Sequence, residues 1–166
     1  MLCNATLPTP FGLFTLSADD IGLRGLLFPA EQPPLPPGSL VALASQPLLA
    51  EAGQQLLAYL AGRLHRFDLP LSIHGTPFQQ QVWAQLRAIP YGETLTYGEL
   101  AACIGGRQKA RAVGGAAHAN PLAIIIPCHR LIGAGGKLTG FGGGLAMKQA
   151  LLDLERQNRD QEKKEA

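Results

Sequence analysis

Charge is scarce in this chain: Asp, Glu, Lys and Arg make up 16% of its 166 residues, and aromatics 6%. Against 46% hydrophobic residues, so little charge argues for a packed core and against extensive disorder. Long apolar runs are missing as well. No stretch approaches the roughly 20 residues of a membrane span, so no membrane segment is expected. The first residues show no basic segment followed by an apolar core, so no export signal is expected. Cysteines are few and far apart. Cys3, Cys103 and Cys128 contain no Cys-x-x-Cys pair, which argues against a cysteine zinc site or a disulfide framework. An odd count without a pairing pattern suits a reducing, cytoplasmic setting.

The charge that is present is unevenly placed. Residues 1–75 carry three basic against five acidic side chains, whereas residues 76–141 carry six against two. A basic middle segment suits a polyanion, although a solvated face accounts for it equally well. The first 28 residues contain two or three short strand candidates, punctuated by Phe11-Gly12 and Asp19-Asp20. Residues 29–47 are proline-rich and read as a surface loop. From Leu48 to Leu64, Leu49, Leu56, Leu57, Leu60 and Leu64 follow helical spacing. Phe67 to Ile73 reads as a further strand, demoted to an edge or bulge by Pro70. Nothing in this half suggests chemistry.

The character changes at Thr76. Thr76-Pro77-Phe78-Gln79 has the form of a capping box with proline at the first helical position, ahead of an apolar stripe of Phe78, Val82, Leu86 and Ile89. Thr96-Tyr97-Gly98-Glu99 is a second such box, opening a short helix that Gly105-Gly106 breaks. A third helix runs from about Gln108 to Asn120-Pro121. Two short helices joined by a glycine turn form a helix-turn-helix. The second of them is nearly bare: Ala110, Ala112, Gly114, Gly115, Ala116, Ala117 and Ala119. Each glycine costs about 1 kcal/mol relative to alanine. A close approach of this helix offsets that cost, either to the core or to a partner.

Chemistry is concentrated in Ile124-Ile125-Ile126-Pro127-Cys128-His129-Arg130. The three β-branched residues read as a short buried strand that Pro127 terminates. A thiol with a base and a permanent cation beside it favours thiolate. The bland alternative, an inert buried cysteine, suits Cys3 and Cys103 better than Cys128. Glu155 shares one helix face with Leu151 and Leu152, so a carboxylate there is buried and needs a partner. A histidine turned toward it satisfies both groups.

The stretch from Thr76 to Glu155, including Pro127-Cys128-His129-Arg130, Asn120-Pro121, Arg111 to Ala116 and Gly140 to Leu145, resembles the catalytic domain of the O6-alkylguanine-DNA alkyltransferases, the methylated-DNA–protein-cysteine methyltransferases. The resemblance implies an α+β protein. A small N-terminal α/β roll domain, residues 1–75, precedes a mainly helical C-terminal domain, residues 76–156, with a helix-turn-helix and an active-site cysteine loop. A polar tail, residues 157–166, is expected to be disordered. The function implied is direct-reversal DNA repair, a single irreversible transfer of an alkyl group from O6-alkylguanine to Cys128.

In the resembled family His129 activates Cys128 through water and Glu155 hydrogen-bonds His129. Arg111 fills the gap left by a flipped base, and the bare helix with Ala112, Gly114 and Gly115 enters the minor groove of double-stranded DNA. Tyr97 assists rotation of the nucleotide and donates a proton toward the guanine. Asn120 links the helix to the active-site strand. Phe141 stands where the family commonly has tyrosine, which keeps the ring of the alkyl pocket but loses a hydroxyl; Gly142 offers its backbone to the base edge. No cofactor and no metal are implied: some members hold zinc near the N-terminus, but here Cys3 is the sole cysteine of the first hundred residues. The implied protein acts as a monomer without a membrane.

Two other readings remain. A protein that recognises alkylated DNA and recruits repair factors, without chemistry, would not use Cys128. A cysteine hydrolase built on Cys128, His129 and Glu155 would leave the bare helix and Arg111 unexplained.

Overall fold

The computed structural model describes residues 1–165. The chain divides into two compact units: Met1–His74 with Pro121–Ala123, and Gly75–Asn120 with the chain from Ile124 onward. No helix among the described residues is long and apolar enough to cross a membrane.

In the first unit, β1 (Cys3–Thr9), β2 (Gly12–Ala18) and β3 (Leu23–Leu27) form an antiparallel sheet in sequence order. The Ser72 hydroxyl and the Gly22 and Ile21 amides close the β2–β3 turn on Asp19 and hold its carboxyl down to about 2. Helix α1 (Pro47–Leu60) packs on the sheet and buries Leu49, Leu56 and Tyr59 in the same core as Phe14 and Leu16. It stops four residues before the expected Leu64. Gly62 adopts φ +79, and the Arg63 amide reaches back to the Ala58 carbonyl at 2.8 Å, the bond that caps a helix through a left-handed glycine.

The strand expected over Phe67–Ile73 is not formed. That segment touches the sheet through one bridge, Leu71 to Leu23, because Pro70 has no amide to donate and contributes only its carbonyl to the Leu23 N–H. Pro121–Ala123 lies against β3, with the Leu26 amide donating to the Pro121 carbonyl and the Ala123 amide to the Leu26 carbonyl.

The second unit begins with α2 (Pro77–Arg87). Its reciprocal Thr76–Gln79 capping box is present as expected. The strand β4 (Leu95–Thr96) leads into α3 (Tyr97–Ile104), capped by Thr96 and Glu99 in the same way. Gly105 and Gly106, at φ +143 and +134, make the turn, and a 3-10 turn (Arg107–Lys109) leads into α4 (Ala110–His118). Side chains with a Cβ rarely adopt such angles, so the turn requires its glycines. Trp83 of α2 is buried and donates its indole N–H to the Ala116 carbonyl at 2.9 Å, tying α4 to the unit.

The strand expected over Ile124–Ile126 is absent, and the residues form a turn. Ile124 takes φ +70, rare for a β-branched residue, while Ile124 and Ile126 are buried. Burial here overrides the β propensity of the run. A strand does occur nearby, but after the cysteine: β5 (Leu131–Ile132) pairs in parallel with β4.

The last helix, α5 (Leu145–Glu165), corrects a further expectation. Residues 157–165 are helical rather than a disordered tail; Ala166 lies outside the described residues. The segment is rich in Gln, Arg, Glu and Lys, all good helix formers, and it extends a helix already anchored by Leu151 and Leu152. Asn158 and Arg159 also bond to Tyr91 and Gly92.

Candidate active site

Cys128, His129 and Arg130 form a 3-10 turn between the Ile124–Ile126 turn and β5. The Cys128 amide donates to the Ile126 carbonyl at 2.8 Å and the Arg130 amide to the Pro127 carbonyl at 3.0 Å. The side-chain amide of Asn120, just beyond α4, donates to the Ile126 carbonyl at 2.7 Å. Asn120 thus ties the end of the bare helix to the turn that precedes the cysteine. Cys128 itself is half-buried.

The two residues that follow the cysteine belong to a buried charge network. His129 and Glu155 are both fully buried, and His129 Nε2 lies 2.6 Å from Glu155 Oε2. Arg130 grips the same carboxylate with two bonds, Nε to Oε1 at 2.8 Å and Nη2 to Oε2 at 3.0 Å, while its Nη1 donates to the Ile89 carbonyl at 2.7 Å. The Gly92 amide adds a fourth bond to Glu155 Oε1 at 3.1 Å. Burial works against an ionised Glu155, but the hydrogen bonds and charges of His129 and Arg130 outweigh it and hold its carboxyl well below the usual range. Burial pushes His129 below its ordinary value, against the pull of Glu155.

The two directions agree on one state. Arg130 balances the carboxylate, so His129 stays neutral near pH 7 and donates its Nε2 proton to Glu155. By that assignment the lone pair lies on Nδ1. A neutral imidazole with a fixed tautomer is equipped to take a proton from a neighbouring thiol.

Two members of this environment escaped the reading of the sequence. Arg130 was noted there as a nearby cation, not as the second partner of Glu155. Lys148 was not singled out at all. It is buried, its Nζ lies 5.6 Å from the Phe141 ring centroid and 3.5 Å from the Thr139 carbonyl, and burial lowers its pKa while the charge of Cys128 opposes that shift. The signal existed in the spacing: Lys148, Leu151, Leu152 and Glu155 recur at helical intervals, so a lysine in an otherwise apolar stripe marked a second buried charge. Phe141 and Gly142 lie half-buried in the loop before α5.

The remaining predicted residues form a separate surface. Arg111, Ala112 and Gly115 lie exposed on α4, while Val113, Ala116 and Ala117 face the core. The two glycines differ. A Cβ at Gly114 would stand 3.6 Å from the Tyr97 ring, an ordinary packing contact, whereas a Cβ at Gly115 would meet nothing within 4 Å. Packing inside the molecule therefore gives no reason for Gly115. Tyr97, over Gly114, accepts a hydrogen bond from the Thr139 hydroxyl at 3.1 Å, which links α3 to the loop that leads to Phe141.

Comparison with known proteins places both units. Residues 77–157 match the model of the 6-O-methylguanine DNA methyltransferase DNA binding domain, and residues 2–73 that of the ribonuclease-like domain of the same enzymes. The methylated-DNA–protein-cysteine methyltransferase of Mycolicibacterium paratuberculosis is 49% identical over 159 residues, covering 95% of this chain and 94% of that protein. The protein of the same description from Methanosarcina acetivorans is 47% identical over 152 residues, 91% of this chain and 96% of its own. The crystal structure of Mycobacterium tuberculosis OGT in complex with DNA superposes with a TM-score of 0.82 at 45% identity, covering 93% of each chain.

Proposed function

This chain belongs to the 6-O-methylguanine DNA methyltransferase family, and from that premise we propose how its own residues carry out direct-reversal repair. Cys128 accepts the alkyl group from O6-alkylguanine in double-stranded DNA, in one irreversible turnover. The observation that supports this most directly is the buried His129–Glu155 pair, whose histidine directly follows the half-buried Cys128 in the chain.

Neutral His129 accepts the thiol proton through Nδ1, by way of a water, and the Glu155 carboxylate, held in place by Arg130, steadies the imidazolium that results. The Lys148 ammonium favours the thiolate. Sγ then attacks the alkyl carbon in line as the carbon–O6 bond breaks. The electron pair stays with the guanine, and a proton donated from the Tyr97 side neutralises it. A thioether is not reversed by cellular thiols, so each molecule acts once. Displacement at carbon needs only a nucleophile and a leaving group, and these residues supply the one and protonate the other.

The target carbon is out of reach inside a stacked duplex, so the nucleotide is extruded, at a cost of a few kcal/mol. The bare exposed face of α4 enters the minor groove, where Gly115 and Ala112 permit close backbone approach and Arg111 takes the place of the missing base. Phe141 walls the alkyl pocket, and Gly142 presents its backbone to the base. The protein works as a monomer, and its cysteine thiols suit a reducing cytoplasm.

Arg111→Ala separates the DNA step from the chemistry. Transfer from duplex O6-methylguanine is expected to fall about tenfold, as for a loss of about 1.4 kcal/mol. Reaction with the free base O6-benzylguanine, which needs no flipping, is expected to hold. Equal losses on both substrates would remove Arg111 from the flipping step.

A further inference from the structure

The contacts of the terminal turns of α5 converge on one short loop. Arg159 Nη1 donates to the Gly92 carbonyl at 2.6 Å, while its Nε and Nη2 lie 3.4 Å from Asp160 Oδ1, which orients the guanidinium fork. Asn158 donates to the Tyr91 hydroxyl at 3.1 Å. Gly92 is buried, adopts φ +80, and has no room for a side chain on that flank: a Cβ would stand 2.8 Å from Arg159 Cδ. The aliphatic stem of Arg159 therefore packs where the glycine side chain is missing.

The same loop supports the active-site charges from its other side. The Gly92 amide donates to Glu155 Oε1, the Ile89 carbonyl accepts from Arg130 Nη1, and the Tyr91 ring lies under the Arg130 guanidinium, 5.7 Å from its centroid. Gly92 is thus held at both ends. Its N–H faces the carboxylate that supports His129, and its carbonyl faces Arg159. A glycine is the residue least able to hold such a geometry unaided, because its dihedrals are the least restricted.

We propose that Arg159 and Asn158 are positioning residues for alkyl transfer: the end of α5 clamps the Tyr91–Gly92 loop and so keeps Glu155 and Arg130 in the arrangement that the Cys128–His129 pair uses. The proposal rests on the alkyl-transfer reading above. It gives the final turns of α5 a catalytic purpose, beyond that of a solvated helix end.

The test uses the full-length protein with Arg159→Ala, Arg159→Lys and, as a control, Arg156→Ala at an exposed position of the same segment. Loss of one hydrogen bond, about 1 kcal/mol, corresponds to roughly a fivefold slower reaction. Arg159→Ala is expected to slow single-turnover transfer by that factor on both methylated duplex and O6-benzylguanine, with the DNA dissociation constant unchanged. The pH at half-maximal labelling of Cys128 by iodoacetamide, read on its own peptide by mass spectrometry, should rise by roughly 0.7 unit. Arg159→Lys keeps a donor and the stem, and should recover most of the rate; Arg156→Ala should match the unaltered protein.

Unchanged rate and labelling pH in Arg159→Ala would overturn the clamp. So would a rate loss that disappears once the folded fraction is taken into account. If Arg159→Ala does not fold, Asn158→Ala carries the same two readouts. An unaltered protein that transfers no methyl group would refute the functional reading instead, and the labelling profile would still decide the clamp.

Discussion

Gly115 offers a substitution whose effects on stability and on activity should have opposite signs. It lies within α4 on an exposed face, and a side chain there meets no other part of the molecule. Replacing this glycine by leucine removes most of the roughly 0.8–1.0 kcal/mol that glycine costs a helix. The folded state should therefore gain about 0.7 kcal/mol, which raises the melting temperature by roughly 2 °C in a chain of this size. The same side chain projects from the surface argued to enter the minor groove, beside Arg111 and Ala112. Forcing added methylenes into a close-fitting contact costs about 1–3 kcal/mol. Transfer from duplex DNA should then fall by roughly five- to hundredfold. Reaction with free O6-benzylguanine should stay near that of the unaltered protein, because the pocket is untouched. Calorimetry and single-turnover kinetics on the two substrates measure all three quantities. A Gly115→Leu protein that is less stable, or that repairs duplex DNA at full rate, would refute the reasoning.

Three other substitutions or conditions follow from the charge network and the pocket. Glu155→Gln removes the anion that balances buried Arg130, and breaking such a pair costs about 3–5 kcal/mol, so both the urea midpoint and the transfer rate should fall; a midpoint equal to that of the unaltered chain would contradict the network. Glu155 and His129 both sit below their ordinary values of 4.5 and 6.5, so the native state resists protons that the unfolded chain binds. Their contribution is complete above those values and is lost as pH falls, first below about 6.5 and then more steeply below about 4.5; a urea midpoint that rises between pH 7.5 and pH 4 would reverse the sign of the argument. Phe141→Tyr should fold and react within about twofold of the parent, since the ring and its contact with Lys148 are kept, and loss of folding would show that the loop has been misread.

What the sequence revealed, and what it hid, follows from the range of the interactions involved. Both capping boxes were legible because Thr76 with Gln79 and Thr96 with Glu99 complete their bonds within four residues. That the carboxylate on the Leu151–Leu152 face needs a buried partner was legible from its apolar neighbours, but its pairing with His129, 26 residues earlier, was implied by the family resemblance, and its second partner Arg130 was not foreseen. The Ile124–Ile126 turn was not. Its β-branched composition asks for a ladder, yet the partner strand β4 pairs with Leu131–Ile132 instead. The helical tail was misread because polarity alone does not separate a solvated helix from disorder; contacts of Asn158 and Arg159 with a loop 67 residues earlier decide it. Lys148 was hidden by its residue type, since lysines are so seldom buried that an apolar stripe reads past them.

The most direct measurement is mass mapping of the protein after incubation with duplex DNA bearing one O6-methylguanine. The account predicts one methyl group on the peptide that contains Cys128, none on those containing Cys3 or Cys103, restored guanine in the DNA, and no transfer by Cys128→Ser. A restored guanine with Cys128 unmodified, or a methyl group on any other residue, would contradict it.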